Sequence, residues 1–431
     1  MKILLSAIAC NPFLVSENYI GWSAVQCLAR DHELWVITGS RNRPDLERAQ
    51  AEGLVAENVR FVYAGEFKPW HQNRLVARMQ GWREYIRFTN GLLPVARSLH
   101  KTIRFDLTHH VTFATWRVGS PLWKLGIPSV FGPVGGAGTF PLRLMPVLSP
   151  FAAAFESLRL LSGVASRLSP SVRACIRRAA YVLTADSETC ALASRIRGSS
   201  AQVSCLLHAF HSEKGIKAFA RYSSLKELNG PLRLFAGGFL IGTKAVILAL
   251  RALARVKSKG VQFQYRLGAE GPELPRLRKM AVQLGLGKEV RFGDPLSGEA
   301  YARELGATHV FFLPSLRESA GLTMMEAMLA GCVPVVADCG GPGHIVTADC
   351  GYKLPISSAE RLIEGLADTI LTINRNREII RQKGAAAVER ITTRFSEQNY
   401  REVINSVYAL VTRRSLESQK NPACEAKAGN S

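Results

Sequence analysis

Short apolar runs of strand length recur along this chain with helical stretches between them, and that alternation leaves few folds open. Residues 2–9, 34–38, 59–63, 106–111, 128–131 and 181–185 read as strands, and a second series follows at 232–236, 262–267, 289–292, 309–313 and 333–337. Strands joined through helices pair in parallel, so each series predicts a doubly wound α/β sheet. Between the two series the pattern lapses at His208-Ala209-Phe210-His211-Ser212-Glu213, where a crossover between domains belongs. A chain of 431 residues also exceeds what one core normally serves. The expected organisation is an N-terminal domain over 1–207, a linker over 208–230 and a C-terminal domain over 231–392. A helix over 393–411 with Ser396 as its N-cap follows, and then a tail over 412–431 that lacks apolar periodicity and is expected to be disordered.

Composition removes several classes. An apolar content of 47% excludes a disordered chain. The nine cysteines are scattered and form no Cys-x-x-Cys pair, so they read as reduced core thiols of a cytosolic protein rather than zinc ligands or a disulfide framework. Met1 to Cys10 is too brief an apolar segment for a signal peptide and reads as the first strand, since Asn11-Pro12 follows where a strand-to-loop turn belongs. No run of 18 apolar residues is present to span a membrane.

The net charge of +21 is clustered. Between Lys68 and Arg104 there are eight Lys/Arg against Glu84 alone, and between Arg159 and Arg178 there are five arginines and no acid. Both segments, 68–104 and 159–178, could meet an anionic membrane surface, and the first interleaves its charges with Trp70, Leu75, Met79, Trp82, Tyr85, Ile86 and Phe88, as a basic amphipathic helix there does. The same spacing also suits a helix whose aromatics face a core, and periodicity does not separate the two. No nucleic-acid recognition motif accompanies the charge, so nucleic acid is not an expected partner.

Seven residues separate Glu318 from Glu326, straight after the apolar run Val310-Phe311-Phe312-Leu313. Gly321 opens a helix that should end near Gly331, which puts the first carboxylate in a strand-to-helix loop and the second inside the helix. In an open parallel sheet that loop faces the ligand crevice, and the helix N-terminus between the two carboxylates suits a phosphate. A bare pair of glutamates at this spacing is weak evidence by itself. The context adds to it: Ala330-Gly331-Cys332 stops the helix, a further apolar run follows at 333–337, and Gly340-Gly341-Pro342-Gly343 makes a turn-rich loop.

The stretch from Phe311 to Pro355, with looser likeness on both sides, resembles the donor-binding half of the family 4 (group 1) retaining glycosyltransferases. The resemblance implies the GT-B arrangement, two Rossmann-like domains facing each other across a cleft, and a final helix that crosses back onto the N-terminal domain. Leu234 to Ala245 is similar to the family's glycine-and-lysine signature, with Gly238 and Lys244 at the matching places and Phe239 where arginine is usual. The resemblance implies that Lys244 and the amides of Ser319, Ala320, Gly321 and Leu322 hold donor phosphates, that Glu318 holds the donor sugar, and that Glu326 binds the ribose. Gly268-Ala269-Glu270-Gly271 and Arg291-Phe292-Gly293 match the loops that line the base, which makes Glu270 and Gly293 donor-site candidates.

In the N-terminal half, Glu17 and Gly21 follow the first strand where relatives carry a more glycine-rich loop, and Tyr19 is a bulky departure from it. His109 and His110 end a strand at the crevice and could contact the acceptor or assist proton transfer, or simply be structural. Gly135 and Gly136 fill the place of a loop histidine found in many relatives, and would admit the sugar to backbone amides. The implied reaction moves a sugar from a nucleotide-sugar co-substrate to a glycan or lipid-linked acceptor with retention of configuration, without cofactor or metal. The expected setting is bacterial exopolysaccharide or cell-surface polysaccharide synthesis, by a cytoplasmic protein that could be peripheral at the inner face of the cell membrane. A catalytically silent binding or scaffold protein and a nucleotide-sugar epimerase remain open beside it.

Overall fold

The computed structural model of the protein describes residues 1–14, 16–65, 67, 74–224, 226–268, 270–294 and 296–420, with the backbone alone at 74–78 and 418–420. It divides into two units.

The first unit takes in Met1–Ala137, Ser162–His208 and the chain from Tyr400 onward. Its strands are β1 (Lys2–Ala7), β2 (Glu33–Gly39), β3 (Val59–Ala64), β4 (Leu107–Thr112), β5 (Ser129–Val134), β6 (Tyr181–Thr184) and β7 (Val203–Cys205). They form one parallel sheet in the order β3-β2-β1-β4-β5-β6-β7. Leu4, Leu5, Val36 and Ile37 are fully buried, as central parallel strands covered on both faces require.

The second unit takes in Gly138–Leu161 and Ala209–Asn399. Its strands are β8 (Leu232–Gly237), β9 (Phe263–Gly268), β10 (Val290–Gly293), β11 (Val310–Phe312), β12 (Val333–Ala337) and β13 (Tyr352–Leu354), again parallel, in the order β10-β9-β8-β11-β12-β13. Each sheet starts in its middle, runs outward to one edge and then resumes on the other side. The order therefore reverses between β1 and β4 and between β8 and β11, the switch points at which such sheets open a crevice. This is the two-domain Rossmann-like α/β fold expected from the alternation. The edge strands β7 and β13 escaped the sequence reading because each is three residues long and only partly buried, without the continuous apolar run that marks the equally short β11.

Three segments lie elsewhere than the sequence reading puts them. Residues 138–161 join the second unit although they precede the crossover. Much of the expected linker is built into that unit as well: Ser212 caps the Glu213–Ala220 helix, His211 pairs its backbone with Phe395 and Glu397, and the buried Lys226 ammonium donates to the carbonyls of Leu305, Gly306 and Thr308. The terminal helix runs Glu397–Lys420, past the expected end at 411 and into the tail expected to be disordered. Tyr400, Ile404, Val407, Tyr408 and Val411 bury its apolar stripe, and beyond them an Arg413–Glu417 pair at 2.9 Å spans an exposed turn whose Leu416 is itself exposed. Residues 421–431 of the expected tail lie outside the described residues.

Candidate active site

The switch point of the second sheet brings together residues that lie more than 70 positions apart. Gly237 ends β8, and a Cβ there would come within 3.0 Å of Thr323 Cγ2, so the bare backbone lets the Leu322–Leu329 helix settle over the strand end. Gly238 follows at φ +109°, turning the chain toward the Gly242–Lys244 turn. From the other side, Leu316 N donates to Thr243 O at 2.8 Å, tying the loop after β11 to the loop after β8. Lys244 Nζ and Glu318 Oε2 meet there in a direct ion pair, both side chains largely buried. Beside them, Gly321 at φ +77° starts the Leu322–Leu329 helix with no side-chain cap, and intrahelical bonding begins at Met325 N to Gly321 O. A helix start of this kind carries partial positive charge and unpaired first-turn amides.

Two further contacts hold Glu318 in place. Gly341 N donates to Glu318 O at 3.2 Å, and a Cβ at Gly340 would lie 1.9 Å from that same oxygen, so the glycine-rich loop after β12 packs against the Glu318 backbone. The neighbouring Arg317 forms a two-pronged pair with Glu156, at 3.0 and 2.7 Å, and Glu156 is 2% exposed. Glu326 lies inside the Leu322–Leu329 helix. Its Oε2 accepts from Tyr301 Oη at 2.9 Å, and burial pushes its carboxyl up to about 7, against the hydrogen bond, which lowers it. Tyr301 is itself wedged against the rings of Phe219 and Phe235.

The remaining donor-site candidates are more loosely placed. Ser319 is exposed and Ala320 buried on the loop ahead of the helix. Glu270 is exposed, and its carbonyl accepts from Leu240 N at 2.7 Å. Gly293 ends β10 next to the Arg266 guanidinium, which a Cβ would approach to 3.1 Å. Phe239 is 42% exposed beside Gly238.

In the first unit, the switch point is stitched by the protein's own groups. Thr112 Oγ1 accepts from Ala9 N at 3.2 Å and donates to Ala9 O at 2.9 Å, and Glu17 Oε1 accepts from Ala114 N. A Cβ on Gly21 would fall 1.9 Å from Ala9 O, so this glycine serves helix-to-strand packing and offers no approach to a ligand. The Gly135 amide is bonded to Ala114 O at 3.0 Å and the Gly136 amide to Asp186 Oδ2 at 2.9 Å, which leaves neither for a sugar. His109 is fully buried within β4, with Nδ1 against Tyr408 Oη and Nε2 against Gly132 O, both at 2.5 Å. His110 is 1% exposed and sits between the rings of Tyr85 and Phe131. Burial lowers both imidazoles to about 4, and neither ring is exposed, which favours the structural reading of these histidines.

Sequence reasoning missed Tyr301 and the Glu156–Arg317 pair, neither of which carries a motif. It also missed Arg41, paired with buried Glu84 at 2.9 Å beside a cavity of about 80 Å³ that Asn18 and Asn42 help to line. Of the second basic segment, Arg159 donates to Gly138 O at 3.1 Å and Arg177 to Ile196 O at 2.9 Å, so these two cations bind their own chain. Among the described residues, no cluster of metal-ligating side chains occurs and no helix is long and apolar enough to cross a membrane.

Residues 218–386 match the sequence model of the glycosyl transferases group 1 family. Over 155 residues the chain is 28% identical to WcaL of Salmonella typhimurium, which bears the provisional name of a colanic acid biosynthesis glycosyltransferase; the match takes in 34% of this chain and 38% of that one. The chain thus spans well under half the length of the curated relatives it matches. Sucrose-phosphate synthase from Thermosynechococcus elongatus superposes with a TM-score of 0.62 at 17% identity, covering 96% of this chain and 99% of that one. HepE of Anabaena in complex with UDP-glucose superposes with a TM-score of 0.58 at 16% identity, covering 95% and 99%. These superpositions carry the fold, that of two-domain glycosyltransferases.

Proposed function

Through residues 218–386 the chain belongs to the group 1 glycosyltransferases, and on that premise we propose that it moves a sugar from a nucleotide-sugar donor to a glycan or lipid-linked acceptor, with retention of configuration, in bacterial surface-polysaccharide synthesis. The observation that carries this reading is the Lys244–Glu318 ion pair at the β8/β11 switch point, beside an uncapped helix start. A diphosphate is the ligand that such a place favours, because Lys244 supplies a full charge and the helix a partial one. Drawing Lys244 onto phosphate releases Glu318 for sugar hydroxyls, so donor binding would arm both residues in one exchange. The acceptor oxygen then bonds to the anomeric carbon on the face that the diphosphate leaves, and a diphosphate oxygen takes the acceptor proton. No protein nucleophile enters, and two carboxylates set as clamps suit this better than the flanking acid and nucleophile of a glycosidase. The complex of HepE with UDP-glucose supports the donor class, and WcaL supports the polysaccharide setting. A lipid-linked acceptor would bring the protein to the cytoplasmic face of the membrane as a peripheral enzyme.

The test is nucleotide release from a panel of nucleotide sugars, with the anomeric configuration of the product read by NMR. Lys244→Ala is expected to lower kcat/KM about 100-fold, the order seen when one anion-stabilising group is removed, and Glu318→Ala to abolish transfer. Absence of nucleotide release from every donor, with binding retained, would favour the silent binding protein that Phe239 in place of a cation suggests. Release of an epimerised free sugar without acceptor would favour the epimerase.

A further inference from the structure

The Arg74–Ile103 helix has two contrasting long faces, both within the first unit. On the inner face, Tyr85, Phe88, Leu92 and Ala96 join Leu4, Trp35 and Ile37 in the core. The outer face presents Met79 at 61%, Trp82 at 39% and Ile86 at 37% exposure, with Arg83, Arg87, Arg97 and Lys101 exposed among and beyond them. The helix's one acid, Glu84, is buried and held by Arg41 and Gln80, each at 2.9 Å, so it does not offset the outer cations. Half of the interleaved aromatics therefore serve the core, while Met79, Trp82 and Ile86 have no such duty. Lys68 and Trp70 of the same basic segment lie outside the described residues.

We infer that this outer face docks the protein on an anionic lipid surface. Cations of one sign with no acid among them complement the negative charge of such a leaflet. A tryptophan, a methionine and an isoleucine set between arginines match the interfacial layer, where an indole ring sits at headgroup level while guanidinium groups stay in water. Three apolar side chains are a small patch for a stable protein interface, but suffice for shallow insertion assisted by charge. The purpose of this docking rests on the proposed function, since an acceptor held in a bilayer needs an enzyme at its surface. The docking itself is tested with neither donor nor acceptor, so failure of either idea leaves the other distinguishable.

The experiment is co-sedimentation of the full chain with vesicles of phosphatidylcholine alone or mixed with phosphatidylglycerol. Binding is expected to the mixed vesicles, about tenfold or more weaker to phosphatidylcholine alone, and about tenfold or more weaker in the triple variant Met79→Ser, Trp82→Ser, Ile86→Ser and in the pair Arg83→Gln, Arg87→Gln. These side chains are exposed; as a further control, brominated acyl chains should quench the fluorescence of the wild-type protein, and Trp82→Phe should remove that quenching. Absence of binding to phosphatidylglycerol vesicles, binding by the triple variant equal to wild type, or quenching unchanged by Trp82→Phe would each overturn the inference.

Discussion

The hydroxyl of Tyr301 donates to Oε2 of Glu326 at 2.9 Å, so a side chain from one helix fixes a carboxylate on another. Burial pushes that carboxyl up to about 7 while the tyrosine pulls it down. If the ionised carboxylate accepts from ribose hydroxyls, nucleotide affinity should rise with pH through about 7. Tyr301→Phe removes the bond that favours the ionised form, so the midpoint should move up and affinity at neutral pH should fall about tenfold, the worth of a hydrogen bond to a charged group. Calorimetric titration of the nucleotide between about pH 6 and 8.5 reads both effects; affinities independent of pH in both proteins would dissociate Glu326 from the ribose.

The same carboxyl affects stability with a definite sign. Its folded value of about 7 lies above the ordinary 4.5, so across that window the native state keeps a proton that the unfolded chain has released, and stability falls as pH rises. Glu326→Gln should therefore stabilise the protein at pH 8 by about 1–2 kcal/mol, a figure reduced from the full shift because the side chain is not wholly shielded from water. At pH 5 the difference should nearly vanish. Chemical denaturation at the two pH values makes the comparison.

Arg317→Met should be among the more damaging single changes in the second unit. It would leave Glu156, 2% exposed, as an unpaired buried carboxylate, at a cost of about 3–5 kcal/mol. The double variant Arg317→Met, Glu156→Met should recover much of that loss, since it leaves no buried charge behind. Activity need not recover with it, because the backbone that aims Glu318 would have lost an anchor.

Phe239→Arg offers a gain rather than a loss. The side chain is 42% exposed beside Gly238, so an arginine there keeps its guanidinium in reach of solvent and of a bound phosphate. It should tighten nucleotide diphosphate binding about fivefold at low salt, with the advantage shrinking as ionic strength rises. Affinity unchanged at low salt would mean that this position does not face the phosphates.

Much of the fold was legible because parallel strands covered on both faces are continuous apolar runs, and all eleven runs read from the sequence are strands; β7 and β13, short and only half-buried, carry no such run. The meeting of Lys244 with Glu318 was only half legible. Their motifs put each at a strand end, but that strands β8 and β11 are neighbours is a matter of sheet order, which no local pattern encodes. The histidines mislead for a physical reason: a strand end at a crevice and a buried strand core have the same sequence, and only Tyr408, some 299 positions away, reveals that His109 is occupied. Glycines mislead similarly, since Gly21 looks like room for a ligand while Ala9 O fills that room. The basic helix was ambiguous in sequence and divides in structure, Tyr85 inward and Trp82 outward.

The bond from Leu316 N to Thr243 O also bears on time. Because it ties the two loops together, the direct route by which Lys244 leaves Glu318 is rotation about its own side-chain bonds, with neither loop displaced. Such rotations take picoseconds to nanoseconds, whereas loop rearrangements take nanoseconds to microseconds or longer. An exchange of partners by that route is expected to be complete before slower backbone motions and not to limit turnover.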